Sequence, residues 1–378
     1  VGCVACHSPR DAESYELLAD SSVPLGDVSS RYNLDSLVAF LENPHAARPA
    51  GRMPNMQLTH WEAVDTANYL LNRKPVAKGE THAIALNPNL AAEGKKQFAE
   101  FGCVNCHAVE GRTSAPKQIP IAADSVSDGC LSESVGAWPR FALKPSQRQA
   151  IQSALTQATA ELTDADRVAM SLTTFRCFNC HSRGTLGGVS DDRNPHFQTT
   201  NPNLGPQGRI PPTLTGVGAK LKPQWMRQVL VSGRTIRPYL KTRMPQYGAD
   251  NVAHLVDLFQ RVDQQPPHKK VTFTDQKEMR TAGIEMAGTK GLNCVVCHTF
   301  RLKKAATMPA VDLTEMAERL HKDWFHRYMH EPQRFSQNTV MPSFWPGGRA
   351  IRKDILGGDP DLQVEALWQY LRERRQRF

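Results

Sequence analysis

The pentapeptide Cys-x-x-Cys-His occurs four times in this chain: Cys3-Val-Ala-Cys6-His7, Cys103-Val-Asn-Cys106-His107, Cys177-Phe-Asn-Cys180-His181 and Cys294-Val-Val-Cys297-His298. Two thiols at this spacing can add across the vinyl groups of a porphyrin while the adjoining imidazole takes the iron, so five consecutive residues supply both tether and proximal ligand. Other uses of Cys-x-x-Cys make weaker demands. A structural zinc site pairs two such motifs around one metal, and a dithiol redox site carries one motif on a βαβ unit; neither calls for His after every second Cys. Eight of the nine cysteines lie in motifs completed in this way, leaving only Cys130. The expectation is a chain built around four covalently bound haem c groups.

A chain of 378 residues ordinarily makes two or three domains, but four haem motifs argue for four small ones, each short of apolar core until a macrocycle fills it. No apolar run approaches the roughly 18 residues needed to cross a bilayer, so no transmembrane segment is expected. The formal charge of +9 would by itself suggest a nucleic acid or an anionic membrane. Two propionates per haem, about −2 each, bring about −8 in all, so the reduced holoprotein sits near about +1 and no nucleic-acid partner is expected. The basic runs Lys269-Lys270, Lys303-Lys304 and Arg372 to Arg377 read first as solvated faces and second as a docking patch for an acidic redox partner.

After three of the motifs the same order of features recurs: a Pro-containing loop, an amphipathic helix, a Met-Pro dipeptide and a closing helix. The first copy runs through Pro24, Leu37 to Leu41, Arg52-Met53-Pro54 and a helix from Thr59 to Asn72. The third runs through Pro211-Pro-Thr-Leu214, Trp225 to Leu230, Arg243-Met244-Pro245 and a helix through Val252, Leu255, Phe259 and Val262; the fourth through Pro309, Leu313, Trp324-Phe325, Met341-Pro342 and a helix opened by Asp359-Pro360. Thr59-His-Trp-Glu62 is a capping box, and Asp359 can cap while Pro360 takes the first helical position. Strand signals are scarce, so the fold class is mainly α with long haem-wrapping loops.

This order of features resembles class I cytochrome c, in which a helix leads into the haem motif, a proline loop follows, and a Met from a later loop closes the other face. The resemblance implies four tandem small helical domains: residues 1–78 (lead-in helix missing), 79–163 (atypical), 164–268 and 269–378. It implies Met53, Met244 and Met341 as the sixth iron ligands opposite His7, His181 and His298, which they follow by 46, 63 and 43 positions. Thioether ligation favours ferrous iron and raises the reduction potential. Met56, Met226, Met316, Met329 and Met308 read as packing residues. Carbonyls near Pro24, Pro211 and Pro309 are expected to accept the proximal His Nδ1–H. Haem attachment of this kind also implies export, to the periplasm or the cell exterior, and Val1 without an initiator Met or signal peptide reads as a processed or incomplete N-terminus.

The second copy departs from the others. Alignment puts Trp138 where the axial Met should stand, and an indole has no lone pair for iron. Three readings stand open for the sixth ligand opposite His107: a residue from elsewhere, with His82, His196 and Met170 as candidates; an open or water-bound position; or the Cys130 thiolate, which would lower the potential. A six-coordinate second haem makes the protein an electron-transfer conduit between a redox donor and acceptor. An open or Cys-ligated one makes a haem enzyme, peroxidase-like or acting on sulfur compounds, and a third class is the electron-transfer subunit of a larger respiratory or dehydrogenase complex.

The conduit is the primary expectation, with no catalytic residues beyond the haem sites, because no Ser-His-Asp set, flavin or nicotinamide fingerprint, or carboxylate pair stands out. Its partners would be redox proteins. His45, His60, His254, His268, His321, His326 and His330 read as solvated residues on polar helix faces. A reaction-centre tetrahaem subunit matches in haem number, but there the Met ligands precede the motifs.

Overall fold

Helices begin where side chains can take up orphaned backbone N–H groups. Asn33 caps α1 (Leu34–Glu42), accepting from the Ser36 N–H at 2.8 Å while Ser36 Oγ accepts from the Asn33 N–H at 3.1 Å. Thr59 opens α2 (His60–Leu71) with the expected capping box, the Glu62 carboxylate accepting from the Thr59 N–H at 2.8 Å. The computed structural model describes residues 1–13, 15–18, 21–48, 51–72, 87–101, 103, 129–132, 141–156, 161–300, 304–336 and 338–373, and the Cys130 side chain is outside that description.

The chain divides into two units, one formed by Val1–Val76 with Asp164–Phe378 and the other by Ala77–Thr163. In the smaller unit α3 (Pro88–Glu100) precedes Cys103, capped by the Asn87 side chain, with Pro88 in the first turn. A second helix, α4 (Pro145–Thr156), follows.

The larger unit holds three separate clusters of buried apolar side chains. In the first, Leu37, Val38 and Leu41 of α1 pack on Ala63 and Ala67 of α2, both fully buried. The second joins Val168 and Leu172 of α5 (Asp164–Thr174), Met226 of α6 (Pro223–Ser232) and Leu255, Val256 and Phe259 of α7 (His254–Val262). The third joins Met279 and Met286 of α8 (Gln276–Ala287), Trp324 and Phe325 of α9 (Lys322–His330) and Val364, Leu367 and Leu371 of α10 (Pro360–Arg372). Close approach of α8 and α10 depends on Gly283, where an added Cβ would stand 2.5 Å from the Ala366 carbonyl oxygen. Asp359 caps α10 as expected, accepting from the Leu362 N–H at 2.9 Å.

The fold is mainly helical; the strands named among the described residues are a short antiparallel pair, Ser182–Arg183 with Leu186–Gly187. No helix among the described residues is long and apolar enough to cross a membrane. Two expectations change. The closing helix of the third copy is split at Ala253 into Ala249–Val252 and α7. His326 is not solvated: it is 1% exposed, and its Nε2 lies 2.9 Å from Glu365 Oε2, because α9 turns this face against α10.

Candidate haem-binding site

Three Cys-x-x-Cys-His motifs adopt one local geometry. Cys3–Ala5 and Cys177–Asn179 are single 3-10 turns, and Cys294–Cys297 is a single α-turn. In each, the His N–H donates to the carbonyl of the first Cys, at 2.9 Å for His7 and His181 and 2.8 Å for His298. The preceding residue is left-handed every time: Gly2 (φ 102°), Arg176 (φ 53°) and Asn293 (φ 59°). Gly adopts that region freely and Asn tolerates it, but Arg176 does so at a cost of about 1–2 kcal/mol. Sequence reading missed this hinge, although Gly2 and Asn293 carried a signal for it.

The imidazoles are then fixed from behind. His7 Nδ1–H donates to the Val23 carbonyl at 2.9 Å, His181 to Pro212 at 2.6 Å and His298 to Val311 at 2.9 Å. These acceptors lie in the expected proline loops. A carbonyl can only accept, so the proton sits on Nδ1 and the Nε2 lone pair remains available to a metal. Burial pushes the His181 and His298 imidazoles below their ordinary values, which keeps them neutral, the ligating form.

Four of the thiols are likewise held in the uncharged form. Burial raises Cys6, pushes Cys177 up to about 11, and pushes Cys180 and Cys294 up to about 12. Cys3, Cys6, Cys103, Cys177, Cys180, Cys294 and Cys297 are in no disulfide. Among the described residues no group of three or more His, Cys, Asp or Glu is placed to hold a metal ion. His321, His326 and His330 turn to different partners: Gln260, Glu365 and Asp361. Thiols free of disulfides beside an imidazole whose Nε2 remains available would hold a haem through two thioether bonds and a His ligand.

Met53, Met244 and Met341 are each half-buried in an irregular segment. Met53 packs on the first core and Met341 on the third. Met56, Met226, Met316 and Met329 are buried, at 8, 3, 1 and 5% exposure, as packing residues are. Cys103 is half-buried at the end of α3's sequel, whereas Cys106, His107, His82 and Trp138 lie outside the described residues, as does the Cys130 side chain. Met170 and His196 are exposed.

The first and third motifs touch each other. Asn179 Nδ2 donates to the Ala5 carbonyl at 2.7 Å and stands 4.0 Å from Cys6 Sγ. Arg193, 6% exposed, donates from Nε to the Val4 carbonyl at 3.0 Å and from Nη2 to the Ser21 carbonyl at 3.0 Å. The two Met-Pro segments meet as well: Asn55 and Gln246, each two residues beyond the Met, exchange backbone hydrogen bonds at 2.9 Å both ways. Arg243 pairs with Glu62 at 2.6 Å, holding the Glu62 carboxyl at about 2. Equivalent positions of the repeat thus face one another, the self-complementary pattern of a two-fold contact.

No curated protein and no solved structure matches the chain. Residues 91–172 match the family model for cytochrome c, spanning the Cys103 motif and running into α5. A domain of that family binds haem c covalently and serves haem-based electron transfer. Over residues 91–172, the chain is therefore similar to the cytochrome c family.

Proposed function

We propose that this chain is a multihaem c-type cytochrome that passes single electrons between a donor and an acceptor protein through four covalently bound haems. The observation that carries the reading is the repeated clamp on His7, His181 and His298, each with Nδ1–H spent on a loop carbonyl and flanked by two unpaired thiols. Haem bound there supplies a one-electron iron couple.

The protein's own residues do the rest. Cys3 and Cys6, Cys103 and Cys106, Cys177 and Cys180, and Cys294 and Cys297 would tether the macrocycles, and His7, His107, His181 and His298 would each supply an imidazole ligand to an iron. Met53, Met244 and Met341 would supply a thioether ligand at three of the sites, and their half-burial in irregular segments suits that role. Four cytochrome c-like domains, 1–78, 79–163, 164–268 and 269–378, agree with three separate cores in the larger unit and a family match at the second motif. Electron transfer needs short gaps between centres, and the contact of Asn179 with Ala5 supports direct exchange between the first and third haems. Covalent attachment of this kind belongs to an exported protein of the periplasm or cell exterior, within a respiratory chain. Mass measurement of the intact protein tests the reading: four haem additions are expected, and fewer overturn it.

A further inference from the structure

Lys220 and Arg319 occupy the same place in the repeat, six residues after Leu214 and Leu313 and five before Trp225 and Trp324. Their segments meet by a symmetric contact. Leu221 and Leu320 form an antiparallel bridge; the Lys222 N–H donates to the Arg319 carbonyl at 2.9 Å, and the His321 N–H donates to the Lys220 carbonyl at 3.0 Å. Lys222 and His321 are themselves equivalent, so each segment gives the other the contact it receives. Two cations are thereby set on neighbouring stretches of backbone.

Among the described residues, the carboxylate that acts on Arg319 is already paired with another cation. Arg319 is 8% exposed and its Nε has no hydrogen-bond partner. Lys220 is half-buried, its ammonium 4.8 Å from the centre of the Trp324 ring. Arg237, also half-buried, lies within electrostatic reach of both. Burial, reinforced by Arg237 and Arg319, pushes Lys220 down to about 7, and burial with Arg237 pushes Arg319 down to about 10. Glu315, the carboxylate acting on Arg319, is engaged by Arg234 at 2.5 Å. Tyr239, 8% exposed, and Tyr328 complete the surroundings with hydroxyls. Buried like charges without an acid partner are unfavourable unless an anion joins them.

The cluster also acts on two of the clamped imidazoles. Arg237 acts electrostatically on His181, and Arg319 on His298. We infer that Lys220, Arg237 and Arg319 form one anion site shared by the propionates of the two haems bound at Cys177–His181 and Cys294–His298, so that the two centres respond together to any change of charge there. This inference rests on the multihaem reading proposed above. The reduced haem carries one more negative charge than the oxidised haem, so a cation beside it favours the ferrous state and its removal favours the ferric state.

Potentiometric titration of the intact holoprotein tests it, with the third and fourth couples assigned through Met244→Ala and Met341→Ala. Arg319→Gln is expected to shift both of these midpoint potentials downward and leave the other two in place. Lys220→Gln, on the opposite segment, is expected to shift the same pair, and it serves if Arg319→Gln fails to fold. A shift confined to the nearer haem, or none, in a protein whose mass shows all four haems overturns the shared site alone. A mass lacking haem at Cys177 and Cys294 overturns the multihaem reading and this one with it.

Discussion

Asn179, from the middle of one Cys-x-x-Cys-His motif, donates a hydrogen bond of 2.7 Å to the carbonyl of Ala5, in the middle of another. The two residues stand at the same position of their pentapeptides, 174 residues apart in the chain. Neighbours in sequence are therefore not the only neighbours in space, and the first and third copies form a pair.

That bond should contribute measurably to stability. Asn179→Ala leaves the carbonyl of buried Ala5 without its partner, at a cost of about 1–2 kcal/mol. Denaturant unfolding should show a lower midpoint with an unchanged slope. An unaltered midpoint would mean that solvent replaces the bond fully.

Met53, Met244 and Met341 should each account for one iron–thioether bond. Replacing any one by Ala is expected to remove one thioether-to-iron absorption feature and lower one reduction potential, since soft sulfur stabilises ferrous iron. Visible spectroscopy and redox titration of the three variants check this; unchanged spectra in all three refute the assignment.

Carbon monoxide separates the conduit from a haem enzyme. If every iron in the reduced protein holds six ligands, binding should be slow and partial. Rapid uptake at a single site would point to an open second haem, whose motif has no Met between His107 and Met170.

Acid should weaken the packing of α9 on α10. Burial by itself would raise the Glu365 carboxyl, but hydrogen bonds from His326, Lys322 and Gln369 outweigh it and hold the group at about 2. A depressed carboxylate contributes stability that is present above its unfolded value of 4.5 and lost as pH falls towards 2. Glu365→Gln should flatten the acid limb of stability measured between those values, and an identical limb in both proteins would exclude the mechanism. The contribution is up to about 3 kcal/mol.

Much of the local structure was legible because its causes are local. Thr59, Asp359 and Pro360 announce helix starts through side chains three residues or fewer from the N–H groups they serve, and the structure places the helices there. The loop carbonyls that receive His7, His181 and His298 were expected near the prolines because a repeat aligned them. His326 was misread because its polar character favours solvent, and only the packing of α9 on α10 supplies the buried carboxylate that reverses that preference.

The sequence by itself determined where thiols and imidazoles stand together, since five consecutive residues carry that chemistry and need no distant partner. Tertiary structure alone decided which copies face each other: Asn179 with Ala5, Asn55 with Gln246, Lys220 beside Arg319. Those pairings depend on surfaces assembled from residues far apart in the chain, and a one-dimensional pattern records the repeat without recording how its copies dock.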